Sequence, residues 1–204
     1  MKDDFFDFLK EPTVEAFSKA RSYVITDEEY SPYSDDIKKL EMLLQKEAYE
    51  EVLAYNNINV VLSPRTHMMK KYAAKQLGKE KDEQAEYFLA HRILEGIHAT
   101  GSGSKEQPYK VLRVEDERDF LGFIGETSKM QSLIKEERIY DLITTESGKS
   151  IYFDITECYG KVANFSFEDM LESLGIDEEI ENDSEEKTVS PTPKKTQKKW
   201  WKFW

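Results

Sequence analysis

The fold class is decided by one stretch, residues 139–156, which reads IYDLITTESGKSIYFDIT. Residues 139–145 and 151–156 have the composition of two β-strands and face each other across residues 146–149. A Ser-Gly pair between the two runs is a typical hairpin turn. The stretch therefore predicts an antiparallel β-hairpin. On one face of its first strand we expect Ile139, Asp141 and Ile143.

The residues around this hairpin extend it to a small α+β region. Upstream, the sequence predicts a strand at 109–114 and a short helix at 115–123. Downstream, a helix-like run at 167–174 ends at Gly175. We expect residues 104–175 to form a small antiparallel sheet with one or two helices.

The front of the chain, residues 1–99, is predicted to be helical because its apolar residues recur at helical spacing. Ser63 and Pro64 form a helix start, and Leu77 with Gly78 forms the matching end. Four or five helices joined by short turns are expected to pack as antiparallel hairpins, which makes the whole fold α+β. The residues assigned to these helices are Pro12 in a first turn, then Val14, Phe17, Ala20, Val24, Ile37, Leu40, Leu44, Ala48, Met68, Met69, Tyr72, Ala73, Ala85, Phe88, Leu89, Ile93 and Ile97.

The composition describes one compact unit or two small ones, with 204 residues, a net charge of −12 and a single cysteine. A chain of this length needs no disulfide or structural metal. Its acidity argues against general nucleic-acid binding, since phosphate contacts require clustered Lys and Arg. It has no apolar run of the roughly 18 residues that a membrane helix needs, and its acidic start does not resemble a signal peptide. We expect a cytoplasmic protein without a cofactor.

Two resemblances add to this reading. In the front half, Val52 stands where the tetratricopeptide repeat has its central alanine, and Pro64 stands where that repeat has its closing proline. Leu77-Gly78 followed by Ala85 is similar to the next unit of the repeat. The front half thus resembles tetratricopeptide-type helical hairpins, which implies a short repeat-like layer packed on the back half.

The second resemblance covers residues 17–161 and rests on the order of several short motifs. Together they resemble an uncharacterised bacterial family, known as a domain of unknown function. The resemblance implies a bacterial origin and supplies no activity or substrate. Members of the family often have secretion leaders, and the acidic start of this chain does not resemble one. We therefore expect a cytoplasmic variant. The motifs are YSPY at 30–33, LSP at 62–64, TGSG at 100–103, PYKV at 108–111, DERDFL at 116–121, QSLI at 131–134, YD at 140–141 and YFDI at 152–155.

The segment 100–105, TGSGSK, invites comparison with phosphate-binding loops. A P-loop has four residues between its glycines, follows a strand and opens a helix. Here the predicted helix precedes the loop and the strand follows it. The segment is therefore interpreted as a flexible connector in which Gly101 and Gly103 adopt positive φ.

His91, Glu95 and His98 share one helix face, since their spacing is i, i+4 and i+7. The fourth ligand and the tight histidine pair of a zinc helix are missing. This pattern favours exposed polar residues over a metal site.

Cys158, just after a predicted strand, is a nucleophile only if a histidine such as His67 reaches it in the fold. A small, half-buried thiol is the commoner role. No complete nucleophile, metal or paired-carboxylate motif is present, so the sequence assigns no catalytic residue.

The C-terminal region, 176–204, is predicted to be a disordered acidic linker that ends in a basic, aromatic motif. Seven acids lie within 177–186, and all three tryptophans of the chain lie in its last five residues. Lysines contribute about 1 kcal/mol each at an anionic membrane, and tryptophan favours the headgroup region. Tryptophan is equally a frequent anchor in protein interfaces. The residues predicted to bind a membrane or partner are Lys194, Lys195, Lys198, Lys199, Trp200, Trp201, Lys202, Phe203 and Trp204.

These observations favour a non-enzymatic bacterial adaptor or scaffold. We expect it to be cytoplasmic and to be recruited through the C-terminal motif to a partner protein or to the inner face of the membrane. The alternative is an enzyme or small-ligand-binding module with its site between the two halves, near 100–109.

Overall fold

The computed structural model describes residues 2–163, with side chains over 5–160. This part of the chain is an α+β fold, as predicted, and it belongs to one compact unit, Met1–Ala163. The helix expected at 167–174 and the disordered tail expected at 176–204 lie outside the described residues. The described elements are α1 (Lys2–Lys10), α2 (Val14–Thr26), α3 (Asp36–Gln45), α4 (Tyr49–Ala54), α5 (Pro64–Gln76), α6 (Glu80–Ala99), β1 (Tyr109–Lys110), α7 (Val114–Phe123), β2 (Ser128–Lys135), β3 (Ile139–Thr145), β4 (Ser150–Asp154) and α8 (Thr156–Ala163).

The local signals of the front helices are mostly where the sequence places them. The Ser63 side chain accepts a hydrogen bond from Thr66 N, and Pro64 opens α5. Gly78 follows the end of α5 with a φ of 67°, in the left-handed region that glycine tolerates best. Pro12, which is predicted in the first turn of a helix, lies before α2. The N-cap of α2 is Thr13, whose side chain accepts a hydrogen bond from Ala16 N at 3.2 Å.

One predicted helical position lies outside its helix, and another lies on an exposed helix face. Ala48 is outside α3, since the chain turns at Glu47, whose φ is 57°. Phe88 lies in α6 but is 46% exposed, and the buried face of that helix is formed by other residues. These are Ala90, Ile93, Leu94, Gly96 and Ile97.

Helix α1, which the periodicity analysis does not predict, packs against α2 and α6. The contact is close at Gly96 of α6. A Cβ added there would lie 2.5 Å from the Phe17 ring and 2.7 Å from the Phe8 ring. The absence of a side chain at Gly96 therefore lets two aromatic rings from α1 and α2 pack directly on the α6 backbone.

The sheet has the strand order β1-β4-β3-β2. The predicted hairpin is present as β3 and β4, with Asp141 paired to Phe153 and Ile143 paired to Ile151. The second edge strand, β2, is not among the strands predicted from sequence, and it pairs antiparallel with β3. The expectation of a purely antiparallel sheet is corrected at β1, which pairs parallel to β4. The chain between these two strands contains α7, as a parallel connection usually requires a helix.

One hydrophobic core joins the front helices to the sheet. It contains Phe17 and Ile97 from the front and Phe120 and Phe153 from the back. A buried polar contact also connects the two parts of the chain: Arg21 donates a hydrogen bond to the Val111 carbonyl at 2.8 Å. Whether the front helices are tetratricopeptide-like stays a prediction. No helix in the described part of the chain is long and apolar enough to cross a membrane.

Candidate ligand-binding cleft

A cleft of about 620 Å³ opens between α7, β2 and β3. Its walls also include Tyr33 and Arg65, which belong to the front of the chain. The cleft therefore lies where the front helices meet the sheet region. The apolar part of its lining consists of Val114, Leu121, Leu133, Ile143 and Ile155.

Two buried carboxyl groups lie in this cleft. Glu117 comes from α7 and is 2% exposed, and Asp141 comes from β3 and is 5% exposed. The Gln131 amide of β2 donates to Asp141 Oδ2 at 2.7 Å and to Glu117 Oε2 at 3.3 Å. Three elements thus contribute one side chain each to a single polar centre inside an apolar wall.

The fold brings Asp141 to this position through the strand period. Asp141 and Ile143 lie on one face of β3, as the sequence predicts, and the structure shows that both are buried. The cross-strand neighbours of Asp141 are Leu133 in β2 and Phe153 in β4. Helix α7 packs on the same face, where Phe120 and Phe153 meet edge to face. Asp141 is therefore a charged residue in a row of apolar ones.

Burial raises the pKa of Glu117 to about 9, and the neighbouring charge of Asp141 acts in the same direction. Burial also raises the pKa of Asp141. Glu117 consequently carries a proton at neutral pH and shares it with Asp141, because two adjacent buried carboxyl groups do not both ionise. Burial also raises the pKa of Asp116, the residue before Glu117 on α7, to about 8.

One oxygen of this pair has unused hydrogen-bonding capacity. Glu117 Oε1 is buried, and no hydrogen-bond donor among the described residues reaches it. Buried polar atoms are nearly always paired, so an exception inside a cleft is a feature that a ligand can satisfy. The centre can donate a proton, accept one, or hold a cationic group.

The adjacent ion pair is already satisfied. Arg65 of α5 forms two hydrogen bonds with Asp119, from Nε at 3.1 Å and from Nη2 at 2.7 Å. This paired geometry holds α5 against α7 and positions one wall of the cleft. It leaves Glu117 and Asp141 as the polar centre of the cleft floor.

The family described as "Domain of unknown function (DUF4919)" matches residues 21–163 of the chain. The chain belongs to this family. The predicted resemblance to an uncharacterised domain-of-unknown-function family is thereby confirmed. No curated protein and no solved structure matches the chain. In this DUF4919 domain, every residue lining the cleft, from Tyr33 to Tyr159, lies inside the matched range.

The site residues predicted from sequence belong to the C-terminal motif and lie outside the described residues. They are Lys194, Lys195, Lys198, Lys199, Trp200, Trp201, Lys202, Phe203 and Trp204.

The glycine-serine loop at 100–105 does not line the cleft. The loop is not a free connector: Ser102 N and Gly103 N both donate to the Gln107 carbonyl, and Tyr152 N donates to the Gly103 carbonyl at 2.9 Å. The positive φ predicted for both glycines is found at Gly103, whereas Gly101 is needed for space. A Cβ on Gly101 would lie 2.4 Å from the Gln107 carbonyl oxygen.

His91, Glu95 and His98 have separate packing roles in the DUF4919 domain. His91 contacts the rings of Tyr87 and Phe123, and His98 stacks on Tyr109. Glu95 pairs with Arg92 of the same helix at 2.8 Å. Within the described residues, no group of three His, Cys, Asp or Glu side chains is placed to hold a metal ion.

Cys158 and His67 are not partners. Cys158 is buried, its thiol donates to the Leu112 carbonyl at 3.0 Å, and burial raises its pKa to about 12. His67 instead contacts Glu86 at 2.6 Å and the Val61 carbonyl at 3.1 Å. A thiol held in its neutral form is a poor nucleophile.

Proposed function

We propose that this DUF4919 domain is a small-ligand-binding module and that the cleft between α7, β2 and β3 is its binding site. The observation that carries the proposal is the buried Glu117–Asp141 pair with its unpartnered oxygen, Glu117 Oε1. Of the two functions considered from sequence, the geometry favours the module with a site between the front and back of the chain. The location differs from the one expected, because the cleft does not involve residues 100–109.

A purely structural role explains this centre less well. Burying a carboxyl group beside another is costly, and an apolar pair of similar volume would pack at least as stably. The volume of the cleft, about 620 Å³, is within the usual range of small-molecule sites. Polar side chains that converge beside apolar ones, as in this cleft, are a common feature of such sites.

The proposal is tested by screening a library of small polar compounds against the full-length protein, with ligand-observed NMR as the readout. A matched pair of variants on β2 locates the hits. Leu133 lines the cleft, and Met130 is exposed on the same strand outside it. Leu133→Trp fills the cleft and should abolish binding of cleft ligands, whereas Met130→Trp should leave it unchanged. If no compound binds, or if Leu133→Trp leaves the binding of the hits unchanged, the cleft is not a binding site.

We propose a second function, recruitment of a non-enzymatic adaptor through the C-terminal motif. Its support is the sequence itself: five lysines and four aromatic residues alternate in blocks over 194–204. At roughly 1 kcal/mol per lysine, an anionic membrane surface provides reversible attachment. A groove on a partner protein that accepts tryptophan is the other target of the same motif.

Liposome co-sedimentation distinguishes these two targets. The full chain and a form ending at residue 193 are compared on vesicles of pure phosphatidylcholine and on vesicles with added phosphatidylserine. Membrane recruitment predicts pelleting of the full chain with anionic vesicles alone, weakened by salt. Equal pelleting of the two forms contradicts membrane recruitment. Specific capture of one protein by a peptide of residues 194–204 then supports the partner-protein target.

A further inference from the structure

We propose that the ligand of this cleft carries a primary ammonium group, which binds between Glu117 and Asp141. The inference rests on the proposed ligand-binding function and names the chemistry of the ligand. Its basis is geometric: two buried carboxyl groups from α7 and β3 converge on the cleft, and one of their oxygens has no donor.

The polar centre has more hydrogen-bond acceptors than donors. Gln131 supplies one amide group, which reaches Asp141 Oδ2 and Glu117 Oε2, and the proton shared by Glu117 and Asp141 is a second donor in the empty cleft. When this proton is released, the two carboxylates need a new donor. Glu117 Oε1 receives nothing from the described residues, and a carboxylate oxygen accepts more than one hydrogen bond. An ammonium group has three N–H donors and no acceptor, so it can satisfy Glu117 Oε1 and Asp141 together.

Other ligand chemistries match this centre less well. An anion would face two carboxyl groups. A divalent metal ion prefers several oxygen ligands, and no suitable three-residue cluster exists among the described residues. A hydroxyl group offers a single donor and leaves part of the centre unsatisfied.

The rest of the cleft suits the hydrocarbon part of an alkylammonium. Leu133, which is 47% exposed and is the cross-strand neighbour of Asp141, provides apolar surface beside the carboxyl pair. Leu121, Ile143 and Ile155 are buried behind it in the cleft wall. The Tyr33 and Tyr159 rings also line the cleft, and aromatic faces attract cations. The expected ligand is therefore a small amine with a short apolar chain.

Binding of an ammonium group is coupled to release of a proton. In the empty cleft, Glu117 and Asp141 share one proton. When the ammonium group enters, both carboxyl groups become ionised and hydrogen-bonded to it, and the displaced proton passes to the solvent. The groups that surround the pair are Glu115, Asp116 and Arg118 on α7, Gln131 on β2, Arg65 on α5, Tyr33 in the loop before α3, and Tyr159 on α8. Because Arg65 is held by Asp119, it does not compete for the pair.

The test uses n-butylammonium chloride and isothermal titration calorimetry on the full-length protein. At pH 7, titrations in phosphate and in Tris report the protons exchanged, and we expect about one released per ligand. Affinity should rise about tenfold per pH unit between pH 6 and 8 and level off near the pKa of Glu117, about 9. An alkylammonium, like a lysine side chain, keeps its own proton to about pH 10.

Two probe controls isolate the hydrogen bonds. Tetramethylammonium carries the charge without N–H donors, and n-butanol carries the chain without the charge. Both should bind at least tenfold more weakly than n-butylammonium at pH 8. Equal binding of tetramethylammonium would overturn the inference.

Two variants isolate the carboxyl pair. Glu117→Gln should match the wild type at pH 6, bind n-butylammonium at least a hundredfold more weakly than the wild type at pH 9, and release no proton. Glu136→Gln, an exposed carboxylate that pairs with Lys105 outside the cleft, should behave as the wild type. Should Glu117→Gln fail to fold by circular dichroism, Asp141→Asn replaces it with the same expectation.

The outcomes separate this inference from the proposed function. If n-butylammonium does not bind, or binds without proton release, while compounds of another class bind in the cleft, the ammonium inference is wrong and the binding function stands. If nothing binds in the cleft, both are wrong.

Discussion

At the scale of single residues, Glu117 makes stability depend on pH. Its pKa is about 9 in the folded chain and near 4.5 in the unfolded chain. Between these values the folded chain keeps a proton that the unfolded chain has lost. The contribution of Glu117 to the free energy of unfolding therefore decreases as pH rises, by up to about 1.4 kcal/mol per pH unit.

Glu117→Gln should flatten this dependence, because glutamine resembles the neutral carboxyl group and still donates to Asp141. We expect the variant to match the wild type near pH 5 and to exceed it in stability at pH 8 to 9. Urea unfolding followed by circular dichroism at several pH values measures this. A wild type whose stability rises steadily from pH 5 to 9, with the variant parallel to it, contradicts the prediction.

Cys158 should be chemically inert in the folded protein. Its thiol is 1% exposed and its pKa is raised to about 12, so thiolate and access are both lacking. Labelling with iodoacetamide at pH 8, quantified by mass spectrometry, should be at least a hundredfold slower in buffer than in denaturing urea. Rapid labelling of the folded chain would show that the thiol is accessible.

At the scale of elements, the packing of α6 depends on a glycine as well as on its large apolar residues. Gly96 lets the rings of Phe8 and Phe17 lie against the helix backbone. Gly122 of α7 has no heavy atom of the described residues within 4 Å of an added Cβ. The two glycines therefore differ in the reason for their presence.

Alanine substitutions test this difference. Gly96→Ala should destabilise the protein by about 1–3 kcal/mol, because the new methyl group overpacks the core. Gly122→Ala should stabilise it by up to about 1 kcal/mol, since glycine disfavours a helix interior. Thermal melts of both variants provide the comparison, and equal effects would refute the packing role of Gly96.

At the scale of the whole molecule, Arg113 links the front of the chain to the back. Its side chain is 2% exposed and donates to the hydroxyl and the carbonyl of Ser34, at 2.9 and 3.0 Å. With the shared hydrophobic core, such contacts make the front helices and the sheet one cooperative unit.

Arg113→Met should lower the free energy of unfolding by roughly 2–4 kcal/mol, since it removes two charge-assisted hydrogen bonds and leaves buried acceptors unpaired. Far-UV circular dichroism and near-UV tyrosine signals should still shift together. The matched control is Arg118→Met, an exposed arginine within α7, with an effect below about 1 kcal/mol. Separate transitions for the two signals would contradict one cooperative unit. Tryptophan fluorescence is unsuitable, because all tryptophans lie at 200–204.

Local sequence signals predict several elements of this fold well. The hairpin of β3 and β4 follows from two strand-like runs around a Ser-Gly turn, and α5 follows from Ser63-Pro64 and Gly78, because both depend on neighbours along the chain. Strand β2 is not predicted by the same reasoning. Its side chains are mostly exposed on both faces, so alternation is weak, and pairing with β3 is what defines it.

The α+β class, the family and the place of Asp141 among apolar neighbours of one strand face follow from the sequence, since they depend on composition, motif order and local period. The contact of Glu117 of α7 and Gln131 of β2 with Asp141 in one cleft follows from the packing of the folded chain. These residues are between 10 and 24 positions apart along the chain, and a contact over such separations depends on how α7 packs on the sheet. The raised pKa of Glu117 follows from that packing, because burial is a property of the folded molecule.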